Sequence, residues 1–359
     1  MSCDNTYIDY LLEEIQQEKQ PVAFMEVCGT HTMAIAKSGI RNLLPVGFKL
    51  LSGPGCPVCV TSQGDIDAVI ELVRQPRITL VTFGDMIRVP GTHSSLQEER
   101  SRGADIRIAY SPLDALEIAR KNLDREVVFL GIGFETTAPA VGITVEQAAA
   151  EHLSNFSVFS LHKLVPPALE VIFSDPDIKV DGLICPGHVS AVIGIEPYSI
   201  LAEKYHKPCV ITGFETIDIL EGLVMLLRQL HCNRAVAEIQ YRRVVRNEGN
   251  KVAKETLKRV FKPIDARWRG LGLIPASGLE LQDEYQEFDA RSRFAIPYIE
   301  DIPIKGCACG DVLTGKITPH DCLLFGKACT PLRPVGPCMV SHEGACAAYY
   351  RYTPLKGRD

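Results

Sequence analysis

No uninterrupted apolar run of about 18 residues occurs in this sequence of 359 residues, so a membrane-spanning helix is not expected. There is also no tract of Lys or Arg, and the formal net charge is −6. The chain therefore lacks the basic surface that nucleic acid or an anionic membrane would require. A G-x-x-x-x-G-K-[ST] phosphate loop is absent, and Gly131-x-Gly133 is not followed by a third glycine at dinucleotide spacing. A nicotinamide or flavin site is therefore weakly supported, and the sequence does not show whether the chain hydrolyses ATP. The N-terminus, MSCDNTYIDYLLEEIQQEKQ, carries Asp4, Asp9, Glu13 and Glu14 where a secretory signal would have a basic start and an apolar core; the cytoplasm is the expected location.

Cysteine is what the chain has in excess. There are 13, an odd number. Cytosolic thiols are kept reduced, so metal ligation or redox chemistry accounts for them better than a disulfide framework. Cys28, Cys56 and Cys59 lie early; Cys307, Cys309, Cys322, Cys329, Cys338 and Cys346 crowd the C-terminal region; Cys3, Cys185, Cys209 and Cys232 are scattered. Otherwise the composition, 46% hydrophobic and 23% charged, is that of a globular protein. Its length fits two or three domains of about 100–200 residues.

Residues 22–320 alternate short apolar runs with helical patterns. VAFMEV (22–27), FKLLSG (48–53), ITLVTF (78–83), ADIRIAY (104–110), VVFLGI (127–132), FSVFSL (156–161), DGLICPG (181–187) and KPCVITG (207–213) read as strands. Helical spacing follows at 65–74 and 112–122. This rhythm predicts an α/β fold with parallel sheets. Gly133-Phe134-Glu135-Thr136 is echoed by Gly213-Phe214-Glu215-Thr216, which suggests two related α/β domains. Beyond about Asn233 an Arg-rich stretch, a helix near 250–261 and a Pro/Gly-rich stretch lead into the cysteine tail. The tail reads as a segment folded around a bound group rather than around its own core.

Cys307, Cys322, Cys329 and Cys346 have the spacing C-x14-C-x6-C-x16-C. Such thiolates can hold a [4Fe–4S] cluster or zinc, although the C-x2-C pairs of zinc ribbons are missing. Cys309 and Cys338 are left over; they can form a redox pair beside the group, or one can replace a chosen ligand. Cys56-Pro57-Val58-Cys59 at a helix start, in what Gly53, Pro54 and Gly55 predict to be a tight exposed turn, suits dithiol–disulfide exchange. Cys28-Gly29-Thr30-His31-Thr32 stands at a strand C-terminus, where open α/β sheets bind ligands. Its thiolate suits a soft iron, with His31 to orient it or take its proton. Glu135, with Thr136 and Thr137, ends another strand and can serve as an acid or base beside anion donors; a helix cap is the plainer explanation. Asp85 and Arg88, in a further strand-end loop, can bind a ligand or pair with each other. Cys185-Pro186-Gly187-His188 looks metal-like, although such a Cys and His are more often structural.

Together, CGTHT (28–32), GPGCPVC (53–59), FGDMIRVPGT (83–92), GFETTAP (133–139) and the tail from CACGDVL to CMVSHEGACAAYYRY resemble the HypD family of [NiFe] hydrogenase maturation factors. The motifs span nearly the whole chain. The resemblance implies an α/β domain at 22–123 with the CGTHT and CPVC loops, and a related one at 124–232 with the GFETT loop. It also implies a mostly irregular and helical iron–sulfur domain from 1–21 and 233–359. It places the [4Fe–4S] ligands on Cys307, Cys322, Cys329 and Cys346, a redox pair on Cys309 and Cys338, and the iron of Fe(CN)2CO on Cys28. The implied partners are the scaffold protein HypC, the cyanide donor HypE and, through HypC, the hydrogenase large-subunit precursor. The implied role is a metallocentre assembly scaffold with redox chemistry at Cys28, His31, Cys56, Cys59, Glu135, Thr136 and Thr137. Glu135, Thr136 and Thr137 would line the cleft that receives the cyanide donor. The residues alone also allow a stand-alone cluster-fed thiol–disulfide reductase or a zinc-stabilised scaffold.

Overall fold

Among the described residues, eleven strands, alternating for most of the chain with helices, build two parallel sheets and one hairpin. They are β1 (Val22–Glu26), β2 (Phe48–Ser52), β3 (Ile78–Thr82), β4 (Asp105–Ile108), β5 (Glu126–Gly131), β6 (Phe156–Ser160), β7 (Gly182–Pro186), β8 (Cys209–Thr212), β9 (Ala237–Ile239), β10 (Phe261–Trp268) and β11 (Gly272–Leu281). The computed structural model describes residues 2–302 and 304–353. Every position of β3, β7 and β8 is buried, which is why these strands are continuous apolar runs rather than alternating ones. The predicted α/β class with two parallel sheets is the one formed.

The five-stranded sheet has the order β2-β1-β7-β8-β9 and the four-stranded sheet the order β4-β3-β5-β6. In both, the chain steps outward from a first strand, then returns to that strand's other side and continues outward in the opposite direction. The reversal lies between β1 and β7 in one sheet and between β3 and β5 in the other. At such a switch point the connections diverge to opposite faces and leave a crevice at the strand C-termini. The loops after β1, β3, β5 and β7 begin at Val27, Phe83, Ile132 and Gly187; each carries a motif singled out from the sequence.

The strand pairing cuts across the expected 123/124 boundary. β1 and β2 belong with β7, β8 and β9, while β3 and β4 belong with β5 and β6. One sheet is thus inserted within the other in sequence. The expected third part is also redistributed. Helix Ser2–Gln16 lies on helix Thr216–His231, with Arg228 paired to Glu14 at 2.7 Å, and its Leu11 and Ile15 join the core over β1. β9 completes the larger sheet. Helix Lys251–Val260 lies on helix Ala138–Ala150, and Phe261, Leu279 and Leu281 of the antiparallel β10–β11 hairpin enter the core of the smaller sheet. The cysteine segment beyond these elements packs against the Cys28 and Cys56 turns. Residues 1, 303 and 354–359 of the expected third part lie outside the described residues. The two Gly-Phe-Glu-Thr runs follow β5, the third strand of its sheet in chain order, and β8, the fourth of its own; they are not equivalent positions in the two units.

Candidate functional site

Cys28 follows β1 at the switch point and is the N-cap of helix Gly29–Ser38. Its backbone N–H donates to Glu26 Oε2 at 3.1 Å, and the Thr32 hydroxyl donates to Glu26 Oε1 at 2.5 Å. Glu26 is fully buried, and burial pushes its carboxyl up to about 7. Cys28 keeps 9% exposure. Burial pushes its thiol up to about 12; the backbone N–H groups of His31 and Thr30 favour the thiolate, and the charges of Glu343 and Glu26 oppose it. The thiol form is therefore the favoured one near neutral pH.

Two other segments close on this turn. Gly29 N–H donates to Gly55 O at 3.0 Å. A Cβ on Gly55 would sit 2.1 Å from Cys28 N, so only glycine permits the approach. From the tail, Glu343 Oε1 accepts the Thr30 hydroxyl at 2.9 Å, and a Cβ on Gly29 would meet Glu343 Cβ at 2.5 Å. Asp85 and Arg88 are not paired with each other. Ser341 donates to Asp85 Oδ2 at 3.3 Å and Arg88 donates to Val340 O at 3.2 Å, anchoring the tail to the smaller sheet.

The His31 ring does not serve Cys28. Nε2 donates to Gly213 O at 2.8 Å and also meets Thr212 Oγ1 at 2.9 Å. Nδ1 is buried without a hydrogen-bond partner, and burial lowers the ring to about 4, so it is neutral. The ring lies 4.6 Å from that of Phe214, which stacks on His188 at 4.1 Å. His188 is held low by partial burial, against the charge of Glu343. His188, expected to be structural, and Glu343, not expected at all, both stand at this site. The signal for Glu343 was a lone acid in the Gly-bounded Ser341-His342-Glu343-Gly344 run; for His188 it was the strand-end Cys-Pro-Gly-His.

The expected exposed turn at 53–59 is covered. Cys56 is 4% exposed and Cys59 fully buried, because helix Pro337–Val340 of the tail packs on helix Pro57–Val60. Cys56 caps the latter, its sulfur accepting the Cys59 N–H at 3.4 Å. Burial holds the Cys59 thiol well above the usual range, and the thiols of Cys338 and Cys56 lie beside it. Cys338 in turn meets Cys309 and Cys346.

Cys307, Cys309, Cys322, Cys329 and Cys346 line one apolar cavity with Val312, Leu324, Phe325 and Met339. All four predicted ligands are thus brought together, with Cys309 beside them, its sulfur 3.3 Å from that of Cys307. Cys338 lies between this group and Cys59. The described cysteines form no disulfide. Among the described residues no trio of Cys, His, Asp or Glu converges where a single metal ion could sit. The surroundings of the thiols would suit an iron–sulfur cluster. Val335 N–H reaches the Cys329 sulfur at 3.3 Å, and Gly336 N–H also favours its thiolate. A Cβ on Gly336 would lie 2.5 Å from Cys309 Sγ and 2.7 Å from Cys307 Sγ.

The GFETT loop is turned elsewhere. Glu135 is 2% exposed; its Oε1 accepts Val165 N–H at 2.9 Å, at the start of helix Val165–Ser174. Oε2 is buried without a hydrogen-bond partner, and burial raises the carboxyl to about 7. Thr137 caps helix Ala138–Ala150 without a side-chain capping bond, its hydroxyl donating to Phe134 O at 3.3 Å. Thr136 is exposed. Glu135 thus supports a helix end, and its bonded partner is Val165 rather than a group of the Cys28 turn.

Comparison with known proteins gives one family. The profile described as "HypD: Hydrogenase formation hypA family" matches residues 6–353. The chain is 48% identical to the hydrogenase maturation factor HypD of Rhodobacter capsulatus over 341 residues, 93% of this chain and 90% of the relative. It is 47% identical to that of Escherichia coli, with the same coverage of both chains. It is also 47% identical to the hydrogenase expression/formation protein HupD of Azotobacter chroococcum, over 91% of this chain and 88% of that one.

Proposed function

The chain belongs to the HypD family, and on that premise we propose that it acts in hydrogenase maturation as the scaffold, with HypC, on which Fe(CN)2CO is assembled. The observation that carries the reading is the contiguity of three sulfur sites. The Cys28 turn packs on the Cys56 turn, Cys59 meets Cys338, and Cys338 meets Cys309 and Cys346 at the thiol-lined cavity.

Cys307, Cys322, Cys329 and Cys346 would hold a [4Fe–4S] cluster, which when bound supplies electrons one at a time. Apolar walls would keep water away, and the N–H groups of Val335 and Gly336 would offset charge at Cys329. Cys28 would hold the iron cargo together with a cysteine of HypC. Iron replaces the thiol proton, and the N–H groups of Thr30 and His31 stabilise the sulfur charge. His188 and Glu343 flank this position and would meet the incoming donor.

Cyanide would arrive as a thiocyanate on HypE. Releasing it from R–S–CN takes two electrons and one proton and yields R–SH and cyanide. Oxidation of one dithiol pair, Cys56/Cys59 or Cys309/Cys338, to a disulfide provides two electrons and releases two protons. The finished unit would pass through HypC to the hydrogenase large-subunit precursor.

Infrared spectroscopy of protein isolated anaerobically with HypC tests the proposal. Cyanide and carbonyl stretches are expected in the wild type and absent from Cys28→Ala. A complex replete in iron and sulfide that carries no such bands would overturn the scaffold reading.

A further inference from the structure

Away from the sulfur sites, a cavity of about 240 Å3 opens between the end of β6, the β10–β11 hairpin and the start of helix Gln63–Val73. Three cations (Lys163, Arg267 and Arg291) line it against two carboxylates, Asp65 and Asp265. Lys163 is 2% exposed. Its ammonium faces Asp65 Oδ2 at 3.6 Å, one contact for a group with three N–H donors. Asp65 is shared, because its Oδ1 also takes Arg291 at 3.2 Å. The Arg291 guanidinium lies over the rings of Phe159 and Tyr298, at 4.7 and 4.2 Å, which fixes its plane at the cavity wall.

His162 adds a second demand. The single Ser160 hydroxyl hydrogen goes to Leu279 O at 2.7 Å. The 3.1 Å contact between Ser160 Oγ and His162 Nδ1 must then be donated by the ring. Nε2 is left as an acceptor, and it is buried without a hydrogen-bond partner. His162 is 1% exposed and borders the cavity, and a donor from a bound molecule would meet its unmet acceptor.

We propose that this cavity binds a small oxoanion carrying its own O–H or N–H: the acid group on Lys163 and Arg291, the donor on His162 Nε2. The net positive lining selects a monoanion, and apolar contact with Ile264, Leu273 and Leu279 limits its size. A hydroxycarboxylate and dihydrogenphosphate share this chemistry.

Titration calorimetry of the full chain with glycolate, acetate and inorganic phosphate tests it. Glycolate or phosphate is expected to bind with a Kd below about 1 mM. Acetate has the charge without the hydroxyl and is expected to bind about tenfold more weakly than glycolate. Which of glycolate and phosphate binds identifies the class of acid. Lys163→Met should abolish the heat. Leu273→Trp alters an exposed rim residue, 56% accessible, so it should fold normally and block entry. Silence of the wild type toward both glycolate and phosphate at about 10 mM, acetate binding as well as glycolate, or binding unchanged in Leu273→Trp would overturn the proposal.

Discussion

The thiol of Cys59 lies against the thiol of Cys338, residues from opposite ends of the chain joined by the packing of two four-residue helices, Pro57–Val60 and Pro337–Val340. A disulfide needs such proximity before any exchange begins. With Cys56→Ser removing the alternative partner, mild oxidation by diamide should cross-link residues 59 and 338. Peptide mass mapping would read the bond, and recovery of unlinked Cys59 after full oxidation of Cys309 and Cys338 would rule out exchange between the two turns.

Cys28→Ala and Cys322→Ala should separate the two proposed metal sites. The first is expected to lose iron carriage with HypC while keeping the brown absorbance near about 400 nm of a thiolate-held cluster. The second should lose that absorbance, because Cys322 lines the cavity. An unchanged spectrum in Cys322→Ala would move the cluster to other ligands.

Gly336→Ala should act at the same cavity without removing a sulfur. The added methyl would meet Cys309 and Cys307 within 2.7 Å. Overpacking of this kind costs about 1–3 kcal/mol, and here the displaced atoms are donors. Iron and sulfide content after anaerobic reconstitution is expected to fall well below that of the wild type; full content would show that the thiols can shift to make room.

Stability should carry the mark of Glu135. Its carboxyl is raised to about 7 from 4.5 by burial. The stability it contributes is fully present below about pH 4.5 and is lost as pH rises through about 7, to an upper limit of roughly 3 kcal/mol. Gln in its place keeps an acceptor for Val165 N–H and cannot ionise. Denaturant unfolding at about pH 5 and pH 8 should show a smaller fall for Glu135→Gln than for the wild type. Equal falls would mean that Glu135 is ionised at little cost. Neutral His31 and His162 act in the other direction: their contribution is present above pH 6.5 and is lost as pH falls through about 4 and 3.

Strands β1–β8 were legible as short apolar runs, and the Gly-bearing loops after β1, β2, β3, β5, β7 and β8 pointed to the right end of the sheets; β9, only three residues long, was not. The tail thiols were legible as a group from their density. Partner choice between strands was not: β1 is flanked by β2 and β7, and nothing in VAFME distinguishes a neighbour 22 residues downstream from one 156 residues downstream. The 53–59 turn was misjudged as exposed because Gly and Pro report backbone shape; its cover comes from the distant tail. His31 was assigned to Cys28 by proximity in sequence, whereas its position on the helix turns the ring toward Gly213. The hairpin escaped notice because FKPIDARW mixes Pro and charges with apolar residues, fitting a strand with one buried and one exposed face over part of its length.

The nesting of one sheet inside the other has a consequence for the order in which a nascent chain matures. Residues 78–160 contain all four strands of the smaller sheet and can pair them as soon as they leave the ribosome, but its core stays open until Phe261, Leu279 and Leu281 of the hairpin arrive. β1 must wait with one edge open until β7 emerges, and the sulfur cavity waits further, for the last helices. The thiol cavity is therefore assembled last, so a chain truncated after the hairpin would keep both sheets yet lack it.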